Sequence, residues 1–189
     1  MRSKAGLLLL CAALLVAALP AFAVEHAVAG KVTKIDSATK TIVVRLADGT
    51  EQAFKYTEHT AVHAAKAGSK AAKKGAVESY LAVKEGSDVV VHYTGEGANK
   101  TATVVNDYGR NAFKVSKGTV VKANQAAHTF TVRTADGAEH TYRVAKDASM
   151  DTGQGIVKGT KYDVKKGEKV VVHYSDEAGN KVVHFIKHM

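Results

Sequence analysis

The sequence predicts an all-β protein made of two tandem five-stranded small barrels, OB-like or SH3-like, behind an N-terminal signal peptide. Three observations carry that prediction. The chain repeats itself: residues 30–60 align with 118–148 without gaps at 11 identities in 31, and 84–100 align with 165–181 at 10 in 17. Each copy is rich in β-branched residues interrupted by turn signals, with no sustained helical period. Each copy also has roughly 70–80 residues, room for five short strands, and a closed barrel leaves such strands no unpaired edge.

The first 23 residues stand apart. Arg2 and Lys4 precede an apolar run from Leu7 to Leu19, and Ala21-Phe22-Ala23 has the small-x-small form of a signal-peptidase site. Cys11 lies inside the run behind Leu10, not behind the small residue that a lipid anchor would want, so it reads as filler. Cleavage near Ala23 would place the protein in the periplasm or outside the cell. The mature chain would have no cysteine, tryptophan or proline. Its stability would then rest on core burial, with no disulfide. No stretch after the leader is long and apolar enough for a transmembrane segment.

The first barrel is expected over 24–107, with strands near 29–36, 40–46, 50–57, 88–94 and 100–106. Residues 41–56, TIVVRLADGTEQAFKY, read as a hairpin that recurs at 129–144 as TFTVRTADGAEHTYRV. A two-residue turn at Asp48-Gly49 would mix the core and solvent faces. A three-residue loop, Ala47-Asp48-Gly49 with Gly49 in the left-handed region, pairs Ile42 with Phe54, Val44 with Gln52 and Arg45 with Glu51. The same loop in the second copy pairs Phe130 with Tyr142, Val132 with His140 and Arg133 with Glu139. Residues 59–80 form a long Ala/Lys-rich connection, a short helix or a basic loop, with Lys66, Lys70, Lys73 and Lys74 at its most positive place. A short linker, 108–116, precedes the second barrel at 117–189. Strands there are expected near 117–124, 128–134, 138–145, 169–175 and 181–187, and Asp151 to Gly155 reads as loop.

Charge bounds the partners. The mature chain carries 25 lysines and arginines against 18 acids. A basic surface favours polyanions, and outside the cytosol these are anionic lipids, acidic polysaccharides or acidic envelope proteins. Lysines also keep β-proteins soluble and guard their edges. Nucleic acid is disfavoured, because no interleaved Arg-aromatic pattern accompanies the tyrosines. No His-Glu-x-x-His, Gly-x-Ser-x-Gly or cysteine nucleophile occurs, and Gly95-x-Gly97 and Gly153-x-Gly155 lack the third glycine of a dinucleotide fingerprint. The chain reads as a non-enzyme with no required cofactor.

All nine histidines lie after the leader. Cleavage after Ala23 would expose Val24-Glu25-His26, whose amine, amides and imidazole can surround Cu(II) or Ni(II) in a square plane. On the last hairpin, a pairing of Tyr174 with Lys181 would set His173 diagonal to His184 on one face, with His188 further along it, a set able to hold Zn(II) or Cu(II). Histidines on a sheet surface are far more often plain packing or solvated groups.

The spacing Gly30-x-Val32-x-x-Ile35-Asp36, then Thr41-Ile42-Val43-Val44, Asp48-Gly49 and Gly86-x-x-Val89-x-Val91 resembles exported bacterial small-barrel domains of unknown function, often described as OB-like. The second copy keeps the frame from Gly118 to Val172. The resemblance covers nearly all of the mature chain and implies a fold, not an activity. Periplasmic copper- and silver-binding OB barrels of metal efflux systems are a neighbouring comparison. Their site uses methionines, a histidine and a tryptophan. This chain keeps only Met150 and Met189 after the leader and has no tryptophan, so that site is not carried over. The reading that results is an exported binding or scaffold protein for an anionic partner. The alternative is a histidine-based metal-binding protein.

Overall fold

The computed structural model describes residues 23–64, 83–161 and 164–189. The described residues are nearly all β, with strands joined by turns and short 3-10 segments, in two closed barrels. The first contains β1 (His26–Asp36), β2 (Thr41–Leu46), β3 (Glu51–Lys55), β4 (Ala61–Ala64), β5 (Ser87–Thr94) and β6 (Thr101–Arg110). The second contains β7 (Lys114–Asn124), β8 (Thr129–Thr134), β9 (Glu139–Asp151), β10 (Ile156–Lys158), β11 (Lys169–Glu177) and β12 (Asn180–His188).

Both barrels have the same topology. In the first, the order β3-β2-β1-β5-β6 closes through a parallel contact of β3 with β6, at Lys55 opposite Thr101. In the second, β9-β8-β7-β11-β12 closes through a parallel pairing of β12 with β9. Taking the five strand positions of a barrel in chain order, this is 3-2-1-4-5 with positions three and five parallel. That Greek-key closure is the OB arrangement and not the SH3-like one. β4 was not expected from the sequence. It runs parallel to β6 from Ala61 opposite Val104 to Ala64 opposite Asp107. In the second copy the same work is done by the far half of β9, where Ser149, Met150 and Asp151 pair with Phe185, Ile186 and Lys187. Asp151, expected in a loop, therefore ends a strand, and the turn follows it.

The hairpin register is the one that the three-residue loop requires. Ile42 lies opposite Phe54, Val44 opposite Gln52 and Arg45 opposite Glu51. Phe130 lies opposite Tyr142, Val132 opposite His140 and Arg133 opposite Glu139. Gly49 and Gly137 sit at φ +85° and +84°, where a side chain would be strained. The ion pairs Arg45–Glu51 at 2.8 Å and Arg133–Glu139 at 2.7 Å are exposed, so each is worth under about 1 kcal/mol. Register comes from the core face instead. Val44, Phe54, Val89, Val91 and Val105 fill the first barrel, and Val132, Tyr142, Val170, Val172 and Ile186 fill the second.

The two copies bend their first strands alike. A register shift sits between Val32 and Lys34 in β1 and between Val120 and Lys122 in β7. Each inserts one extra residue and sharpens the twist that closes the barrel. Just before each bulge stands a glycine, Gly30 or Gly118. A Cβ on either would collide with the carbonyl oxygen of Arg45 or Arg133, and with the side chain of Val44 or Val132 at 2.8 or 2.6 Å. Gly30→Ala and Gly118→Ala should each destabilise the protein by about 1–3 kcal/mol through overpacking, although alanine is the better strand residue elsewhere. Urea unfolding checks this, and an unchanged midpoint would refute it.

Residues 1–22, most of the segment expected to be a leader, and residues 65–82, which include most of the basic connection expected over 59–80 with Lys66, Lys70, Lys73 and Lys74, lie outside the described residues. Among the described residues no helix is long and apolar enough to cross a membrane.

Candidate functional site

The two barrels meet along a seam, because their outward faces are apolar where they touch. In β1, Val28 points into its own barrel while Ala27 and Ala29 point out. In β5, Val89 and Val91 point in while Val90 points out. Ala27 lies opposite His92 and Ala29 opposite Val90, so these four share one face. The two small alanines allow close approach. Phe185 from β12 packs there with Tyr108, and Ala112, Phe113 and Ile156 close the edges. The segment 108–116, expected as a linker, is mostly strand: β6 runs to Arg110 and β7 starts at Lys114, with only residues 111–113 between. That turn is held by the buried Asp88, which accepts the Phe113 amide at 3.0 Å and pairs with Lys31 at 3.3 Å.

One end of the seam is polar. Asp151, itself buried, accepts the amides of Ala27 at 3.0 Å and Gly153 at 2.7 Å, and its Oδ2 lies 3.5 Å from His26 Nδ1. The Ile156 amide donates to the Glu25 carbonyl at 2.9 Å, and the Thr103 hydroxyl to the Glu25 carboxylate at 2.5 Å. His92 Nε2 is 3.0 Å from the Ser149 hydroxyl. Val24 is exposed and lies against Gly155. The segment Val24-Glu25-His26 therefore fastens the first barrel to the β9–β10 turn of the second.

The middle of the seam holds the other expected histidines, in a different arrangement from the one the last hairpin suggested. Tyr174 lies opposite Val183, not Lys181, and His173 opposite Phe185. The register slips between His173 and Tyr174, which leaves His184 as the extra residue of a bulge. His173 and His184 nonetheless both come to Phe113, with ring centroids 5.9 and 5.7 Å away, and His184 also lies 4.7 Å from Tyr108. The Ser175 hydroxyl is 2.8 Å from His184 Nε2. His188 lies opposite Val170, past Phe185, and is only half-buried. Among the described residues no group of three histidine, cysteine, aspartate or glutamate side chains is placed to hold a metal ion.

Burial sets the charge of these rings. It pushes His173 down to about 4, against a smaller opposing pull from Asp88. Burial also lowers His184, opposed by Asp147 and Glu177, and lowers His92, opposed by Glu25 and reinforced by His63. At neutral pH the seam is packed with neutral imidazoles.

The other end of the seam opens into two adjoining clefts. One, of about 170 Å³, lies between the barrels. Ala29 and Leu46 form one wall, Val171 and Phe185 the other, and the buried His173 also lines it. The second, of about 570 Å³, runs over the second barrel past Lys117, Thr119, Arg133 and Lys169. Lys117 and Met189 line both. Strand register explains the lysines. Val171 lies opposite Lys117 on β7 and opposite Lys187 on β12, so the three form one row across the outward face. The next row, on the seam side, is Val115, His173 and Phe185. On the far side Lys169 lies opposite Thr119. The tip of the first hairpin reaches this place: Asp48 lies at the mouth, held below the usual carboxylate range by hydrogen bonds from Thr50, with Lys187 adding to the effect.

No family model matches the chain, and no curated protein matches it. Solved structures do. A Cu(II)-bound tryptophan-to-alanine variant of CusF from Escherichia coli is similar at a TM-score of 0.32 and 13% identity, over 43% of this chain and 98% of that one. Ag(I)-bound CusF is similar at a TM-score of 0.31 and 16% identity, over 44% of this chain and 97% of that one. Apo-CusF from Escherichia coli is similar at 0.31 and 13%, over 43% and 95%.

Lys117, Arg133, Lys169, Lys187 and the carboxylate of Asp151 were not singled out by the sequence. Lys169 and Lys187 carried one usable signal, since each adjoins a core residue of its strand, Val170 or Ile186. Only the three-strand register of β7, β11 and β12 places the lysines side by side.

Proposed function

We propose that the protein is a non-catalytic, exported binding protein that takes an anionic cell-envelope or extracellular partner on the cationic groove of its second barrel. The observation that supports this is the groove of about 570 Å³ past Lys117, Lys169 and Arg133, with no acidic residue in its lining, Arg133 being shared with Glu139 at 2.7 Å. Basic surroundings of this kind attract a polyanion and lose it as salt rises. The test is binding to vesicles of phosphatidylglycerol and to a sulfated glycan across a salt series. Lys117→Gln and Lys169→Gln should each weaken binding by about fivefold, near 1 kcal/mol per charge at an anionic surface, and Arg133→Gln by less, because Glu139 already offsets its charge. A parallel variant with glutamine at 66, 70, 73 and 74 separates the groove from the basic connection. Loss in that variant alone, with the groove triple variant binding like the parent, would overturn the assignment.

The alternative reading is Cu(II) or Ni(II) capture by Val24, Glu25 and His26. It has one observation in its favour: a carboxylate oxygen of Asp151 already faces His26 Nδ1, the ring nitrogen that the chelate would use. A visible d–d band at one equivalent of Cu(II), lost in His26→Ala, is its mark. No band near stoichiometry would end it.

A further inference from the structure

We infer that the cleft between the barrels is a binding site for a small monocarboxylate with a single compact apolar tail. Three features of the cleft lead there. Its walls come from both barrels and are apolar: Ala29 and Leu46 face Val171 and Phe185. At about 170 Å³ it is comparable with cavities of roughly 150 Å³ that take up a benzene ring, so it suits one ring or one short alkyl chain and not a pair of acyl chains. Its mouth is charged. Lys117 and Lys187 flank Val171 as direct cross-strand neighbours, both exposed, and Asp48 is the acid opposite them. The two lysines suit a carboxylate head, and Asp48 opposite them disfavours a more highly charged anion.

The buried lining agrees with the mouth. His173 is 4% exposed and touches the rings of Phe113 and Phe185. The buried part of the lining thus offers only uncharged groups, and a second negative charge would find no partner there. The ligand would lie with its tail toward Phe185 and its carboxylate between the two lysines. The site adjoins the groove of the preceding section and shares Lys117 with it. It rests on that reading only for the sign of the ligand's charge.

The experiment is titration of the mature protein with hexanoate, followed by the amide and imidazole resonances around Val171 and His173. Acetate supplies the head without the tail, and hexanol the tail without the charge. Hexanoate should bind at least about tenfold more tightly than acetate, because its longer chain leaves water, and about fivefold more tightly than hexanol, because only a carboxylate carries charge to the two lysines. Val171→Trp should fill the cleft and abolish that advantage, while Lys187→Gln should bring hexanoate down to hexanol. Should Val171→Trp not fold, Leu46→Trp fills the cleft from the other barrel and decides the matter. Hexanoate binding no tighter than acetate, or unchanged in a folded cleft-filling variant, would overturn the inference. Vesicle or glycan binding that survives such a result leaves the groove assignment standing. Hexanoate binding that survives in a protein blind to polyanions removes the groove and keeps the cleft.

Discussion

Urea unfolding at pH 4.5 is expected to give a midpoint well below that at pH 7.5, with most of the loss between pH 6.5 and pH 4. The cause is the seam histidines. In the unfolded chain an imidazole titrates near 6.5, whereas burial holds His173 at about 4, with Asp88 pulling weakly the other way. Between those values the unfolded chain binds a proton that the native protein refuses, so falling pH favours unfolding. The stability is complete above the unfolded value and is lost as pH falls toward the folded one. For His173 the full span is worth about 3 kcal/mol. His184 and His92, lowered by the same burial, add in the same direction. His173→Gln has no proton to take up in this range and should flatten the profile. A parent midpoint that stays level from pH 7 to pH 5 would contradict the neutral, buried seam.

Phe185→Ala should be the costliest single truncation in the seam. The ring is 1% exposed, packs with Ala27, Ala29, Val90 and Tyr108, and lies 5.8 Å from His173. Removing a buried phenyl group costs about 3–5 kcal/mol, part of it from the void that rigid neighbours cannot refill. β-strands paired on both sides relax poorly, and β12 is paired with both β11 and β9. The void lies between barrels rather than inside one, so the effect should reach cooperativity. Unfolding followed by tyrosine fluorescence and by far-ultraviolet circular dichroism should coincide in the parent and separate in the variant. Coincident transitions with a loss under about 1 kcal/mol would mean that the barrels do not depend on this contact.

The local features of the fold were legible in the sequence. Alternation of apolar and polar residues, together with Asp-Gly in a three-residue loop, placed Ile42 on Phe54 and Phe130 on Tyr142, and the strands pair that way. These signals depend on residues a few positions apart, so they survive without knowledge of the rest of the molecule. The last hairpin resisted the same treatment. The bulge that displaces His184 belongs to a strand that must pair with β11 on one side and run parallel to β9 on the other, and no local pattern announces it.

The candidate site shows the same division. The repeat, the turn glycines and the core alternation are contained in each copy, and they make two barrels of one kind from the residue pattern alone. Which outward faces become buried depends on one copy meeting the other. Ala27, Ala29, Val90 and Phe185 are ordinary strand residues until the turn at 111–113 brings the faces together. That contact makes His173 neutral, ties His26 to Asp151, and sets the first hairpin's Asp48 beside Lys187. Burial and charge at the seam are sums over residues far apart in the chain, and only packing assembles those sums.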